Sequence, residues 1–352
     1  MKRLTYVSIF SRELSAQEVE AIGALSVRNN TRDGLTGALF CFKDIFYQIL
    51  EGDDKKVDAC YARILNDDRH TDIFCLKVEM DIRSRFYGDW AMKTVLLDSA
   101  QEELLIPLRN MLDSLARTHF ILGKYAPEQI LRTIQEGLNP LDQPSFHTSR
   151  VVLFSDIMGS TTLTESLRAE VLADMLSAYY EIANRCIARA GGTISKLTGD
   201  GLMAYFPIEK AQAAVEASLD LLGELGEYRK RQRSGDPREL LYAGVGISAG
   251  PVLEGSIGSD VRKDYTLLGD AVNSAARLES TTRKVGRTLV FDSRLRDLLP
   301  RNRAVKRLGL YQPKGKLERL EIFTIPEEAT NIGLTQAELK EKMSRFKSGI
   351  GG

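Results

Sequence analysis

This sequence predicts an α+β fold in two domains, on three observations. The chain has 352 residues, 43% of them apolar; β-rich runs alternate with stretches of helical spacing; and a Gly/Pro break, Gly137-Leu138-Asn139-Pro140-Leu141-Asp142-Gln143-Pro144, falls near the middle. At roughly 150 residues per domain the length argues for two, and the apolar share lets each bury a core. Lys plus Arg (48) balance Asp plus Glu (48). No global field therefore draws the chain to a nucleic-acid polymer or an anionic membrane, and any anionic ligand needs a local site. Cys41, Cys60, Cys75 and Cys186 show no Cys-x-x-Cys spacing, and with only His70, His119 and His147 beside them no zinc framework assembles. The charged N-terminus has no apolar stretch after it, and nothing approaches the roughly 18 uncharged apolar residues of a spanning helix. A soluble cytoplasmic protein with reduced thiols is expected.

Residues 4–10 read as a strand. Ser15, with Glu18 three positions on, is a capping box opening a helix whose inner face is Val19, Ile22 and Leu25. Two β-rich runs between Leu35 and Leu50 flank Lys43-Asp44 as a hairpin, and residues 55–65 return to helical spacing through Val57, Tyr61, Ile64 and Leu65. Residues 73–80 read as a strand and 90–96 as another. This β-α-β-β-α-β-β order describes a sheet with helices on one face, over residues 1–98. Leu105, Leu108, Leu112, Leu115 and Leu122 then mark an amphipathic connector within 99–145, either packed on its own domain or pairing with a second copy.

The second domain, 146–327, opens on a buried-strand run, 151–157, that carries Asp156 and leads through Met158-Gly159-Ser160-Thr161-Thr162 into a long helix. Residues 193–206 read as two strands around Gly199-Asp200-Gly201, with Asp200 at the tip. A helix to Arg233, a strand over 242–248, a loop, a helix over 269–283, a strand over 288–292 and closing strands around Leu308 and Ile322 follow. Residues 328–352 form a tail.

Asp156 at a strand end and Asp200 at a hairpin tip can converge, and two carboxylates at one point suit Mg²⁺, which takes one or two carboxylates plus substrate phosphates. The main-chain N–H groups of Ile157 to Thr161 at a helix start can cradle phosphate oxygens, Gly159 removing the Cβ that would obstruct them. Taken alone, these are as much an ordinary turn and N-cap as a site. Asn273 and Arg277, four apart, project from one helix face as a neutral and a cationic donor. Such a pair suits charge developing on phosphate, and equally an ordinary solvated face.

Four blocks in order, Phe154-Ser155-Asp156-Ile157, Lys196-Leu197-Thr198-Gly199-Asp200, Leu268-Gly269-Asp270-Ala271-Val272-Asn273-Ser274-Ala275-Ala276-Arg277-Leu278-Glu279 and Lys314-Gly315-Lys316, resemble a class III nucleotidyl cyclase domain. The resemblance implies a ferredoxin-like domain and a homodimer with composite active sites. Two Mg²⁺, or Mn²⁺ in their stead, would be held by Asp156, Asp200 and the Ile157 carbonyl. Asn273 and Arg277 of the other chain would meet the transition state, and Lys314 the terminal phosphates beside the Gly159-Ser160-Thr161 turn. Lys196 and Thr266 match the base-reading pair of adenine-specific members, where guanine-specific ones usually carry Glu and Cys or a similar combination. Lys can donate to adenine N1, a ring acceptor, where guanine presents an N–H. ATP is the implied substrate, its ribose 3′-hydroxyl attacking the α-phosphorus to give 3′,5′-cyclic AMP and pyrophosphate.

In the first half, Tyr6 on the first strand, Asn30 before Thr31-Arg32-Asp33-Gly34-Leu35-Thr36-Gly37, Gln48 in Phe46-Tyr47-Gln48-Ile49-Leu50-Glu51-Gly52, and Trp90-Ala91-Met92 resemble a BLUF blue-light flavin domain. Each alone is an ordinary core or edge residue. Together they set an amide, both donor and acceptor, between a phenol and an electron-poor ring. The resemblance implies a second ferredoxin-like domain binding a flavin, FMN or FAD, with Asn30 on the ring and Tyr6 and Gln48 as the photoactive pair. Arg63 and Arg69-His70 would lie toward the ribityl or phosphate end, and Trp90 and Met92, on the final strand, would pass the signal to the helical connector. The whole chain resembles the photoactivated adenylyl cyclases. A guanylyl cyclase is disfavoured by Lys196 and Thr266, and a catalytically silent sensory adaptor by the presence of Asp156, Asp200, Asn273 and Arg277.

Overall fold

The computed structural model describes residues 1–97, 105–312, 319–326 and 341, apart from 11, 13, 43, 68, 89 and 260, and no side chains at 71, 105 and 107–109. Two compact units emerge, Met1–Gln143 and Pro144–Gly352.

The first unit runs β1 (Lys2–Phe10), α1 (Ala16–Asp33), β2 (Thr36–Phe42), β3 (Ile45–Gly52), α2 (Asp54–Leu65), β4 (His70–Glu79), β5 (Lys93–Leu96), α3 (Leu105–Tyr125) and α4 (Glu128–Gln135). Its sheet has the order β4-β1-β3-β2-β5, antiparallel except between β2 and β5. The expected capping box opens α1, and Gly34 closes it at φ 69°, a left-handed position that glycine takes without steric cost. α1 and α2 cover one sheet face, whose core includes Leu4, Tyr6, Val19, Leu39, Leu50 and Val57. The other face is covered too, by α3: Ala116 is buried against Val7 and Ile45, with Phe74, Leu76 and Phe120 around it. α1 and α2 thus share one face as expected, the connector helix α3 packs on its own domain over the other, and β1, enclosed between them, is buried nearly end to end. Leu112 and Leu115 both border the recess against the sheet, Leu115 with 39% of its surface still exposed, and the side chains of Leu105 and Leu108 lie outside the described residues.

The second unit runs β6 (Phe146–Ile157), α5 (Ser160–Ser166), α6 (Ala169–Arg189), β7 (Thr193–Leu197), β8 (Gly201–Pro207), α7 (Ala211–Lys230), β9 (Ala243–Gly258), β10 (Lys263–Leu268), α8 (Asp270–Val285), β11 (Leu289–Asp292), α9 (Ser293–Leu298), β12 (Lys306–Tyr311) and β13 (Leu320–Thr324). The sheet order is β12-β13-β11-β9-β6-β8-β7, with β10 returning along β9. Central β6 is antiparallel to both β8 and β9 and buries Val151, Val152 and Leu153 completely. α6 and α7 pack on one face through Met175, Tyr179, Ala183, Val215 and Leu221. On the other, α8 sets Ala271 and Ala275 against Val152, Met203 and Val252.

Two sequence expectations change here. β9 continues to Gly258 and returns as β10, where a loop was expected. Gly255 lies within the strand, paired with Thr266, at a place where an added Cβ would meet Ser145 Oγ at 2.6 Å. The helix after Gly159 stops at Ser166, and α6 starts a fresh helix after Leu167. Seven residues are under two turns, so little macrodipole adds to the turn's N–H groups. Among the described residues no helix is long and apolar enough to cross a membrane.

Candidate functional site

Asp156 lies near the end of β6, opposite Gly201 at the start of β8. The turn carrying Asp200 is tied to it by backbone: the Ile157 N–H donates to the Asp200 carbonyl at 3.2 Å, and the Thr198 N–H to the Gly201 carbonyl at 2.8 Å. Gly201 permits this approach, since a Cβ there would stand 2.6 Å from the Ser155 carbonyl oxygen and 3.0 Å from Asp156 Oδ1. Asp156 Oδ1 is buried and accepts no hydrogen bond. Burial, and after it the charge of Asp200, raises the Asp156 pKa, against the opposing pull of Arg283. A dehydrated carboxylate beside a second acid, with an unused lone pair, fits a divalent cation. Among the described residues no three His, Cys, Asp or Glu side chains are grouped to hold a metal. A cation here therefore completes its shell with water or ligand oxygens, as Mg²⁺ commonly does. Ile157, Ser160, Thr161 and Asp200 border an open concavity of about 530 Å³, and Gly159 caps α5 at φ 72°.

The other expected residues that are described stand on α8, β7 and β10. Asn273 is exposed on α8. Arg277, one turn on, is half-buried with Nη1 enclosed and without an acceptor. Neither borders the concavity. Lys196 is exposed on β7 and Thr266 buried on β10, two strands that approach one another. Lys314 lies outside the described residues.

Two residues the sequence reading did not select join the acids. Arg283 Nη2 donates to Asp156 Oδ2 at 3.2 Å and to the Ile157 carbonyl at 3.4 Å, and lies 3.4 Å from Glu279 Oε1. Burial pushes the Glu279 carboxyl up to about 7; Arg283 opposes this and the charge of Asp156 adds to it. The available signal was an acid–base pair at i,i+4 on a helix already carrying Asn273 and Arg277. Glycines set the height of α8 over β9: a Cβ on Gly246 would stand 2.0 Å from the Glu279 nitrogen, and one on Gly244 2.5 Å from Thr282 Oγ1.

In the first unit, Tyr6 and Gln48 are cross-strand partners on β1 and β3, both buried, and the Tyr6 hydroxyl donates to Gln48 Oε1. Gln48 Nε2 stands 3.6 Å from Met92 Sδ. Burial lifts the Tyr6 hydroxyl well above its ordinary range, so the phenol is a neutral donor. Asn30, in the last turn of α1, donates to the Ala91 carbonyl at 2.8 Å. Tyr6, Asn30 and Gln48 border one cavity of about 210 Å³, with Arg63, Arg69 and His70 also on its wall and the aliphatic Ile22, Leu39 and Ile64 between. Polar groups converging on an otherwise apolar recess fit a flat heteroaromatic ring. Asn29 and Ser26 also border it; neither was selected, because polar residues on an exposed helix turn carry no distinguishing pattern. Trp90 departs from expectation. It is 46% exposed, stacks on Tyr87 and does not border the cavity. Trp90 and Met92 both precede β5 instead of lying on it. The Gly37 N–H takes the Trp90 carbonyl and Asn30 takes that of Ala91, so pairing with β2 starts only at Lys93.

Comparison with known proteins adds to this geometry. Residues 144–325 match the family described as the adenylate and guanylate cyclase catalytic domain, and residues 1–93 match BLUF, sensors of blue-light using FAD. The photoactivated adenylate cyclase subunit beta of Euglena gracilis is 30% identical over 337 residues, 92% of this chain and 38% of that protein. The alpha subunit is 28% identical over 356 residues, 99% of this chain and 34% of that protein. The chain thus spans little more than a third of the length of these curated relatives. A solved structure of a bacterial light-regulated adenylyl cyclase aligns with a TM-score of 0.89 and 37% identity, covering 99% of this chain and 100% of the other.

Proposed function

Since the chain belongs to the adenylate and guanylate cyclase family and carries a BLUF module ahead of its cyclase domain, we propose that it is a blue-light-activated adenylyl cyclase, converting ATP to 3′,5′-cyclic AMP and pyrophosphate. The observation that carries this reading is the junction of Asp156 with the Asp200 turn beside an open concavity. Asp156, Asp200 and the Ile157 carbonyl hold two divalent cations, Mg²⁺ or Mn²⁺. When bound, these neutralise the phosphates and lower the pKa of the 3′-hydroxyl. The N–H groups from Ile157 to Thr161, with Lys314, take the phosphate tail, and Lys196 with Thr266 reads adenine. Asn273 and Arg277 serve the site of a second copy, Arg277 placing permanent charge where the reacting phosphate gains negative charge. In this reading the protein is a homodimer whose two copies share their sites.

FAD, the flavin of the BLUF family, supplies blue-light absorption when bound. The Tyr6 hydroxyl presents its proton to Gln48 Oε1, rotation of the Gln48 amide would exchange its two hydrogen-bonding ends, and Met92, in contact with that amide, would register the change. Asn30 holds the ring edge, and Arg63 stands on the cavity wall. In this reading residues 1–98 are the sensor, 99–145 the connector, 146–327 the cyclase domain and 328–352 a tail, and the protein acts in the cytoplasm, where ATP is made. The test is to purify the protein and assay cyclic nucleotide from ATP and from GTP, in the dark and under blue light. A yellow protein forming cyclic AMP under light is expected. A colourless protein, or equal turnover of both nucleotides, overturns the reading.

A further inference from the structure

We propose that Arg283 is a resident cation of the Asp156 site: its guanidinium holds the carboxylate until a divalent ion arrives, then withdraws to Glu279. The inference rests on the metal role assigned to Asp156 above. Three distances carry it. Arg283 Nη2 donates to Asp156 Oδ2 at 3.2 Å and to the Ile157 carbonyl at 3.4 Å, which are two of the three groups assigned to the metal. The same nitrogen lies 3.4 Å from Glu279 Oε1, which accepts no hydrogen bond. A guanidinium on these oxygens repels an incoming dication and claims lone pairs the ion needs. Glu279, one helical turn back, offers the guanidinium a place to go.

Only the side chain has to move. Gly244 and Gly246 let α8 pack closely on β9, and the Arg283 side chain, 26% exposed, already has Asp156 and Glu279 within 3.4 Å of one nitrogen. Ion binding at Asp156 is therefore an exchange of one cation for another. The metal-free Asp156 carboxylate keeps a counter-charge in the fold, at the expense of affinity for the free ion.

The full chain, stripped of metal and kept dark, is titrated with Mn²⁺ alone, and the free-ion electron paramagnetic resonance signal is followed. R283Q should bind Mn²⁺ roughly fivefold to fiftyfold more tightly than wild type, as expected for removal of a part-buried like charge. R283K, which keeps the charge, should stay within about twofold of wild type. Metal-free R283Q should melt below wild type and gain more on saturation with Mn²⁺. If R283Q does not fold, R283M removes the same charge at similar length. Equal or weaker binding by the folded charge-removing variant overturns the role of Arg283. Binding by wild type that D156N leaves unchanged overturns the metal role of Asp156, and the inference with it.

Discussion

Tyr6 and Gln48 face each other across the β1–β3 ladder, the phenol donating to the side-chain carbonyl, while the amide end of the same Gln48 stands 3.6 Å from the Met92 sulfur. Both ends of the amide are engaged, so the Tyr6 end cannot change without disturbing the Met92 end. Replacing Tyr6 by Phe removes the donor and the proton. The variant should remain yellow and lose the light-induced red shift of flavin absorbance; a persisting shift assigns the chemistry to another residue.

Asp200→Asn should abolish cyclic AMP formation, by roughly a hundredfold or more, since it removes one of two proposed metal carboxylates. The flavin photocycle, read by absorbance, should not change. Turnover near wild type refutes the metal role.

Asp156→Ala and Arg277→Ala chains should each be inactive. Mixed and allowed to exchange, they should recover about a quarter of wild-type activity, because half the dimers are mixed and each has one intact site. No recovery in confirmed heterodimers removes the shared-site arrangement.

Gly246→Ala should destabilise the cyclase domain by about 3 kcal/mol or more, its Cβ falling 2.0 Å from the Glu279 nitrogen. Gly223→Ala in α7, where an added Cβ meets nothing within 4 Å, should stabilise by roughly 0.5–1 kcal/mol. Thermal melts of the two variants against wild type check the contrast.

The Glu279 carboxyl, pushed up from an ordinary 4.5 to about 7, holds its proton in the fold at pH values where the unfolded chain has released it. Its contribution to stability is thus greatest at low pH and declines as pH rises from about 4.5 to about 7. In metal-free protein Glu279→Gln should flatten the fall in melting temperature between pH 5 and 8. An unchanged pH profile shows that Glu279 ionises normally.

Much of the architecture was legible because it rests on local pattern. The Ser15–Glu18 box, the β2–β3 hairpin and the Gly199-Asp200-Gly201 tip each announce themselves within a few residues. What escaped depends on neighbours distant in sequence. The length of β9 was hidden because its glycines look like breakers until the chain that passes them is known. That Trp90 turns outward and Met92 inward follows from hydrogen bonds to Gly37 and Asn30, more than fifty residues away. Arg283 reaches Asp156 across 127 positions, and only the packing of α8 on the sheet shows that they meet.

The first unit's β3 presents Phe46, Gln48 and Leu50 to the cavity-side core, and Ile45 and Tyr47 to the recess beneath α3. A pleated strand is a single layer, its alternate side chains sharing one continuous backbone. It behaves as a diaphragm: a push on Gln48 from the cavity side is already a push on Ile45 and Tyr47 from behind, and Ala116 and Leu112 rest directly on that rear surface. A displacement on the cavity side is thus felt behind the strand as well, since the layer between the two recesses is one peptide thick.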